Sequence, residues 1–158
     1  MSSNRDITRI DADRPARQRI RDEVSSWYGV TTAIGSHGEL SFRVGEREIG
    51  HLHGDAVAHF RFEEAVWAQL RAIGRIDVHP LFPDSKGLAS RRMAAERDVD
   101  DVIALMRLNH ELALRRLERR ADRAASRADN QALPIGNATH PWSMPLHGGT
   151  GAISEGGL

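Results

Sequence analysis

The sequence predicts an α+β domain: a small antiparallel sheet of about four or five strands with helices packed on one face, plus an extended C-terminal tail. Three observations carry this. Between Val30 and Phe60 the chain breaks into short β-rich runs separated by glycine turns. Around 15–28, 63–73 and 98–125, apolar residues recur at intervals of three and four, the spacing of one helix face. From Asp129 onward Lys and Arg vanish, while Pro and Gly accumulate. A single domain over 13–128 is therefore expected, between a polar, flexible N-terminus (1–12) and a Pro/Gly-rich tail (129–158).

Taken in order, Asp13 is placed to cap a first helix with Pro15 in its opening turn, and Ile20, Val24 and Trp27 form its apolar stripe. Arg14, Arg17, Arg19 and Arg21 crowd the other side as a solvated face. Gly29 ends the helix. Val30 to Ile34 is a strand, Gly35 to Gly38 a turn, and Leu40, Phe42 and Val44 share one face of the next strand. Gly45-Glu46-Arg47 reverses the chain into a strand from Glu48 to His53. Strict alternation puts Ile49, His51 and His53 on one of its faces, and Gly50 and Leu52 on the other. Ala56 to Phe60 adds a short strand, with Phe60 or Phe62 facing inward.

Val66, Leu70 and Ile73 form the buried stripe of the helix over 63–73, Trp67 flanks it, and Gly74 is placed to end it. Arg75 to Val78 starts a strand, and His79 to Gly87 is an irregular excursion whose two prolines forbid a regular ladder. Leu88 to Met93 closes the sheet. Asp98 caps the longest helix, with a stripe of Val99, Val102, Ile103, Met106, His110, Ala113 and Leu117. Its Arg115 to Arg127 portion is rich in Arg and Ala, projects past the core, and reads as a solvated face.

Composition removes several function classes. Lys+Arg and Asp+Glu both number 22, so no net charge draws the chain to nucleic acid or to an anionic membrane. Cysteine is absent, which excludes disulfides, thiolate nucleophiles and Cys-held metal clusters. No apolar run approaches the ~20 residues of a spanning helix, and no signal-peptide core is visible at the N-terminus. The expected location is cytoplasmic. No Gly-x-Gly-x-x-Gly or phosphate-loop motif occurs, so no nucleotide cofactor is expected.

Two clusters are the candidate site. His51 and His53 lie two apart on a strand and can chelate one divalent ion, with His59, His79 or Asp55 completing the shell. No cofactor is otherwise expected. His79, Asp84 and Ser85 are the catalytic candidates: Asp84 could orient His79 as a general base, and Ser85 supplies a hydroxyl. A ligand-binding face would use His51, His53, Asp55, His79 and Lys86. His110, on the stripe of the last helix, reads as a satisfied core histidine. In the tail, Trp142, Met144 and Leu146, and more weakly Ile153 and Leu158, place large apolar residues in a segment that cannot fold alone. They suggest docking on a protein partner, a second copy, or the domain itself.

Three blocks carry a family resemblance. They are Arg47-Glu48-Ile49-Gly50-His51-Leu52-His53-Gly54-Asp55, then His79-Pro80-Leu81-Phe82-Pro83-Asp84-Ser85, then Asp98-Val99-Asp100-Asp101-Val102-Ile103-Ala104-Leu105-Met106-Arg107. In this order they resemble the small "luciferase domain" family of bacteria and fungi, over roughly residues 30–115. The resemblance implies a compact α+β fold and no assigned active-site residue. Leu88 stands where many relatives carry a tryptophan after the turn glycine. The functional expectation is a small cytoplasmic accessory or binding domain, with a histidine-lined ligand site and a tail that docks on a partner. The alternatives are a small enzyme using His/Asp/Ser acid–base chemistry, possibly metal-assisted, and a homo-oligomeric structural protein.

Overall fold

The computed structural model describes residues 14–132. The elements there run α1 (Ala16–Ser25), β1 (Val30–Ile34), β2 (Leu40–Val44), β3 (Arg47–His53), β4 (Val57–Arg61), α2 (Glu64–Ala72), β5 (Asp77–Val78), β6 (Leu88–Arg92) and α3 (Glu96–Ala132). One sheet takes the order β1-β2-β3-β4-β6-β5, and every neighbouring pair is antiparallel. This is the α+β fold expected, with six strands rather than four or five; the shortest, β5, holds only two residues. The segments 1–13 and 133–158, and with them Asp13, Trp142, Met144, Leu146, Ile153 and Leu158, lie outside the described residues.

Residues that face one another across an antiparallel pair point to the same side. Leu40 opposes Leu52, Phe42 opposes Gly50, Leu52 opposes Ala58 and Phe60 opposes Ala89, so one face of the sheet is apolar. Helices α1 and α3 pack together and α3 lies over this face. Ile20 and Val24 from α1, and Val102, Leu105 and Met106 from α3, are wholly buried there with Phe42 and Leu52. Each such side chain contributes roughly 1.5–3 kcal/mol on leaving water. Gly50 allows the approach: a Cβ at that position would lie 3.2 Å from both Met106 Cε and the Phe60 ring. Helix α2 docks where β4 ends and β6 begins, its Trp67 Nε1 donating to the Leu88 carbonyl at 2.8 Å.

The β2–β3 hairpin carries an irregularity that matters for the site. Arg43 pairs with Glu48 while Phe42 pairs with Gly50, so Ile49 is an extra residue. Strict alternation, which placed Ile49 beside His51, fails at this bulge. Ile49 is wholly buried in the core, and the side chain that meets His51 is Glu48. The backbone here is served by Asn109 of α3, whose amide donates to the Ile49 carbonyl at 3.0 Å and to the Arg61 carbonyl at 3.3 Å.

Several helix ends differ from expectation for local reasons. Helix α2 stops at Ala72, so Ile73 leaves the stripe and is 69% exposed, while Gly74 turns the chain with φ +70°. Helix α3 starts at Glu96, which puts Asp98 inside its first turn; its Oδ2 reaches back to accept the N–H groups of Ala94 and Ala95, both at 2.9 Å. These bonds, the Ala94 one foremost, hold the Asp98 carboxyl below its usual range. The same helix continues through Asp129 to Ala132, into the segment read as tail.

Candidate functional site: a histidine cluster on the open sheet face

The sheet face away from α3 carries the histidines. The hairpin between β3 and β4 turns at Gly54 to Ala56, and its register sets His51 opposite His59 and His53 opposite Val57. His51, His53 and His59 therefore share one face of two adjacent strands. Their ring centroids lie 5.1 Å (His51–His53), 5.2 Å (His51–His59) and 4.8 Å (His53–His59) apart. One nitrogen from each comes within 4.8 Å of the other two. His79 joins from beyond β5. Ser90 is opposite both His59 and Asp77 in register and is small, and the His79 ring lies 4.2 Å from that of His59. The sheet topology thus brings four imidazoles together from three separate segments.

The hydrogen bonds assign the protons. Glu48 Oε1 lies 2.6 Å from His51 Nδ1. A carboxylate only accepts, so Nδ1 carries a hydrogen, and in the neutral tautomer that this selects, Nε2 is the nitrogen with the lone pair. The His51 ring in turn holds the Glu48 carboxyl below its usual range. His79 Nδ1 accepts the backbone N–H of Leu81 at 3.3 Å, which leaves Nε2 as the protonated nitrogen of the neutral ring. His59 is 8% exposed, and its Nε2 is buried with no hydrogen-bond partner among the described residues. Burial first, and then the neighbouring His79, His51 and His53, push His59 down to about 4. Burial likewise lowers His79, with His51 and His53 adding to the effect. His59 and His79 are thereby held uncharged at neutral pH, the protonation state in which an imidazole can ligate a metal ion.

A cavity of about 290 Å³ opens beside the rings, lined by Glu48, His51, His59, His79, Phe82 and Leu88 among others. Phe82 in this lining is exposed, with its ring 5.3 Å from His79.

The remaining sequence candidates sit elsewhere. Asp55 accepts the Arg17 backbone N–H at 2.7 Å and so serves the first turn of α1. Lys86 pairs with Glu64 at 2.9 Å on the surface. Asp84 is exposed, and Ser85 donates its backbone N–H to Phe82 O in a turn. Among the described residues neither side chain makes a hydrogen bond or ion pair with His79, so the His79–Asp84–Ser85 arrangement is not hydrogen-bonded together. His110 Nε2 donates to the Tyr28 carbonyl at 2.8 Å and its ring packs at a tilt against Trp27, as a core histidine does. Glu48 and Phe82 were not singled out from the sequence, and His59 entered only as one way to complete a shell. The register held a signal for His59: counting back from a turn centred on Asp55 pairs residue 51 with residue 59.

Fold and site together describe an antiparallel α+β domain with an imidazole cluster on the sheet face away from α3. Residues 46–109 match the family described as "Luciferase domain", in agreement with the resemblance read from the sequence. All four clustered histidines, Glu48 and Phe82 fall inside the matched stretch. No curated protein and no solved structure matches the chain.

Proposed function

We propose that this protein is a small binding domain whose open sheet face takes up one divalent transition-metal ion through His51, His53 and His59. The observation that carries this reading is the convergence of three imidazoles, one oriented by a carboxylate and one with a buried nitrogen that has no partner among the described residues. An all-imidazole set suits zinc, copper, nickel or cobalt and is unsuited to the oxygen-seeking calcium and magnesium. A tetrahedral ion with nitrogens at ~2.0–2.1 Å holds them roughly 3.4 Å apart. The rings therefore draw in by about an ångström on uptake, a movement that rotation of the exposed His53 can supply. Three protein ligands leave a fourth position facing the cavity for water or a small anionic ligand. His79 Nε2–H is a donor toward that ligand, and Phe82 and Leu88 are an apolar wall.

A cytoplasmic setting and a protein partner engaged through Trp142, Met144 and Leu146 belong to the same proposal; the support for the partner is the apolar content of that segment. A second reading, metal-assisted hydrolysis, is favoured by the cavity itself, which would seat a substrate against a metal-bound water with His79 as proton donor.

The deciding experiment is native mass spectrometry of the 158-residue chain titrated with zinc. One ion per chain, removed by EDTA and not taken up by the His51→Ala/His53→Ala protein, is the expected outcome. A protein that stays apo in micromolar zinc, or a double variant that still loads, refutes the assignment.

A further inference from the structure

A second cavity, separate from the histidine cluster, has a lining that follows from the helical repeat of α3. Stepping by three and four along this helix gives Val99, Val102, Met106, Asn109, Ala113, Arg116, Arg120 and Arg123. Up to Ala113 this ridge is buried. Beyond it the same ridge becomes guanidinium. The β2–β3 turn faces it, with Gly45 against Leu117. Between them lies a cavity of about 420 Å³, with Val44, Ala113 and Leu117 as its apolar part and Arg47, Arg116, Arg119, Arg120 and Arg123 around it. Glu46 is the one carboxylate in the lining.

The charges are poorly neutralised. Arg116 pairs with Glu63. The side chains of Arg119, Arg120 and Arg123 make no hydrogen bond or ion pair among the described residues. Arg47 is half-buried, its Nε is fully buried, and that nitrogen has no partner among the described residues. A buried N–H of a guanidinium left unpartnered is costly. Its burial and the like charges of Arg116 and Arg61 all disfavour its charged form. Each of these costs is relieved by one species, an anion. Guanidinium forks match phosphate oxygens in pairs, and four of them outside the Glu63 pair exceed what one carboxylate ligand satisfies. The volume falls in the range of small-ligand sites, and the apolar part asks for a body as well as a head.

We infer that this cavity is an anion site that binds a phosphate monoester group carried on an apolar body. The inference is independent of the metal reading, because none of its residues belongs to the histidine cluster.

The test is isothermal titration of EDTA-treated full chain at pH 8, with phenyl phosphate, inorganic phosphate and phenol as probes. Flotation with phosphatidylcholine vesicles containing phosphatidic acid runs alongside it. Phenyl phosphate is expected to bind saturably, about tenfold or more tighter than phenol or inorganic phosphate. Arg120→Glu/Arg123→Glu, two changes on an exposed helix turn, is expected to weaken it at least about tenfold with an unchanged melting curve. Arg47→Gln gives a second loss from the opposite wall. Vesicle binding alone, abolished by the same variant, supports the site with a lipid headgroup as the source of the phosphate. Binding of neither probe, binding the charge reversal leaves intact, or inorganic phosphate matching phenyl phosphate overturns the proposal.

Discussion

Replacing His59 by leucine should flatten the acid limb of the stability curve without destabilising the protein at neutral pH. In the unfolded chain this imidazole takes a proton near 6.5; in the folded protein its value is about 4, because burial and three neighbouring imidazoles oppose the charge. Between those two values the unfolded state binds the extra proton, so stability present above about pH 6.5 is lost as pH falls toward 4. A difference of about 2.5 units at 1.36 kcal/mol each makes the total loss about 3 kcal/mol. That is a sizeable part of the ~5–15 kcal/mol that holds a domain of this size. At pH 7.5 the ring is neutral and its buried Nε2 has no partner among the described residues, so an apolar side chain of similar volume removes a desolvation cost of about 1–3 kcal/mol. The assay is urea unfolding of EDTA-treated protein, followed by tryptophan fluorescence between pH 7.5 and 4.5. Wild type should lose most of that 3 kcal/mol across the range. His59→Leu should lose far less, keeping only the part owed to His79 and to carboxylates shared by both proteins. Equal slopes for the two proteins would refute the reasoning.

Two further outcomes are expected. Glu48→Gln keeps a hydrogen-bond acceptor for His51 and removes the charge, so zinc affinity should fall about 10- to 100-fold while the urea midpoint shifts little; calorimetric titration at pH 7.5 reads the first and fluorescence the second. Gly87→Ala should destabilise the fold by about 1–3 kcal/mol. Gly87 has φ +107°, and an added Cβ would sit 2.8 Å from the Phe62 carbonyl oxygen, a backbone atom that cannot step aside. Its own carbonyl accepts the Phe62 N–H at 2.8 Å, so an unchanged melting temperature would show that the excursion carrying His79 re-forms freely.

Most of the architecture was legible because local pattern and tertiary need agree. Leu40, Phe42 and Val44 alternate and are buried; Ile20, Val24 and Trp27 step by four and three and are buried. What escaped was non-local. The bulge at Ile49 depends on Asn109, far along the chain, supplying an amide to a displaced carbonyl, and no spacing within β3 announces it. The same bulge makes Glu48, rather than a residue at even spacing, the partner of His51. His79 meets His59 only because a two-residue strand pairs beside β6, which local propensity hardly marks. In the turn at 79–87 the Asp and Ser stand out by residue type, yet Asp84 is exposed and it is Phe82 that gives the cavity its wall. The end of α3 was set too early because arginine and alanine sustain a helix after the apolar stripe has run out.

The β3–β4 hairpin holds three of the four clustered imidazoles within a span of the chain from 51 to 59. A chelator so local survives the loss of tertiary structure: a denatured chain can still wrap this segment round an ion. Ligand-induced stabilisation counts only the excess of native over denatured affinity. Zinc should therefore raise the unfolding midpoint by much less than its dissociation constant for the native protein implies. The shortfall measures how far the hairpin is pre-formed in the denatured ensemble. Only His79, brought in by β5, is a contact that the denatured chain cannot easily reproduce.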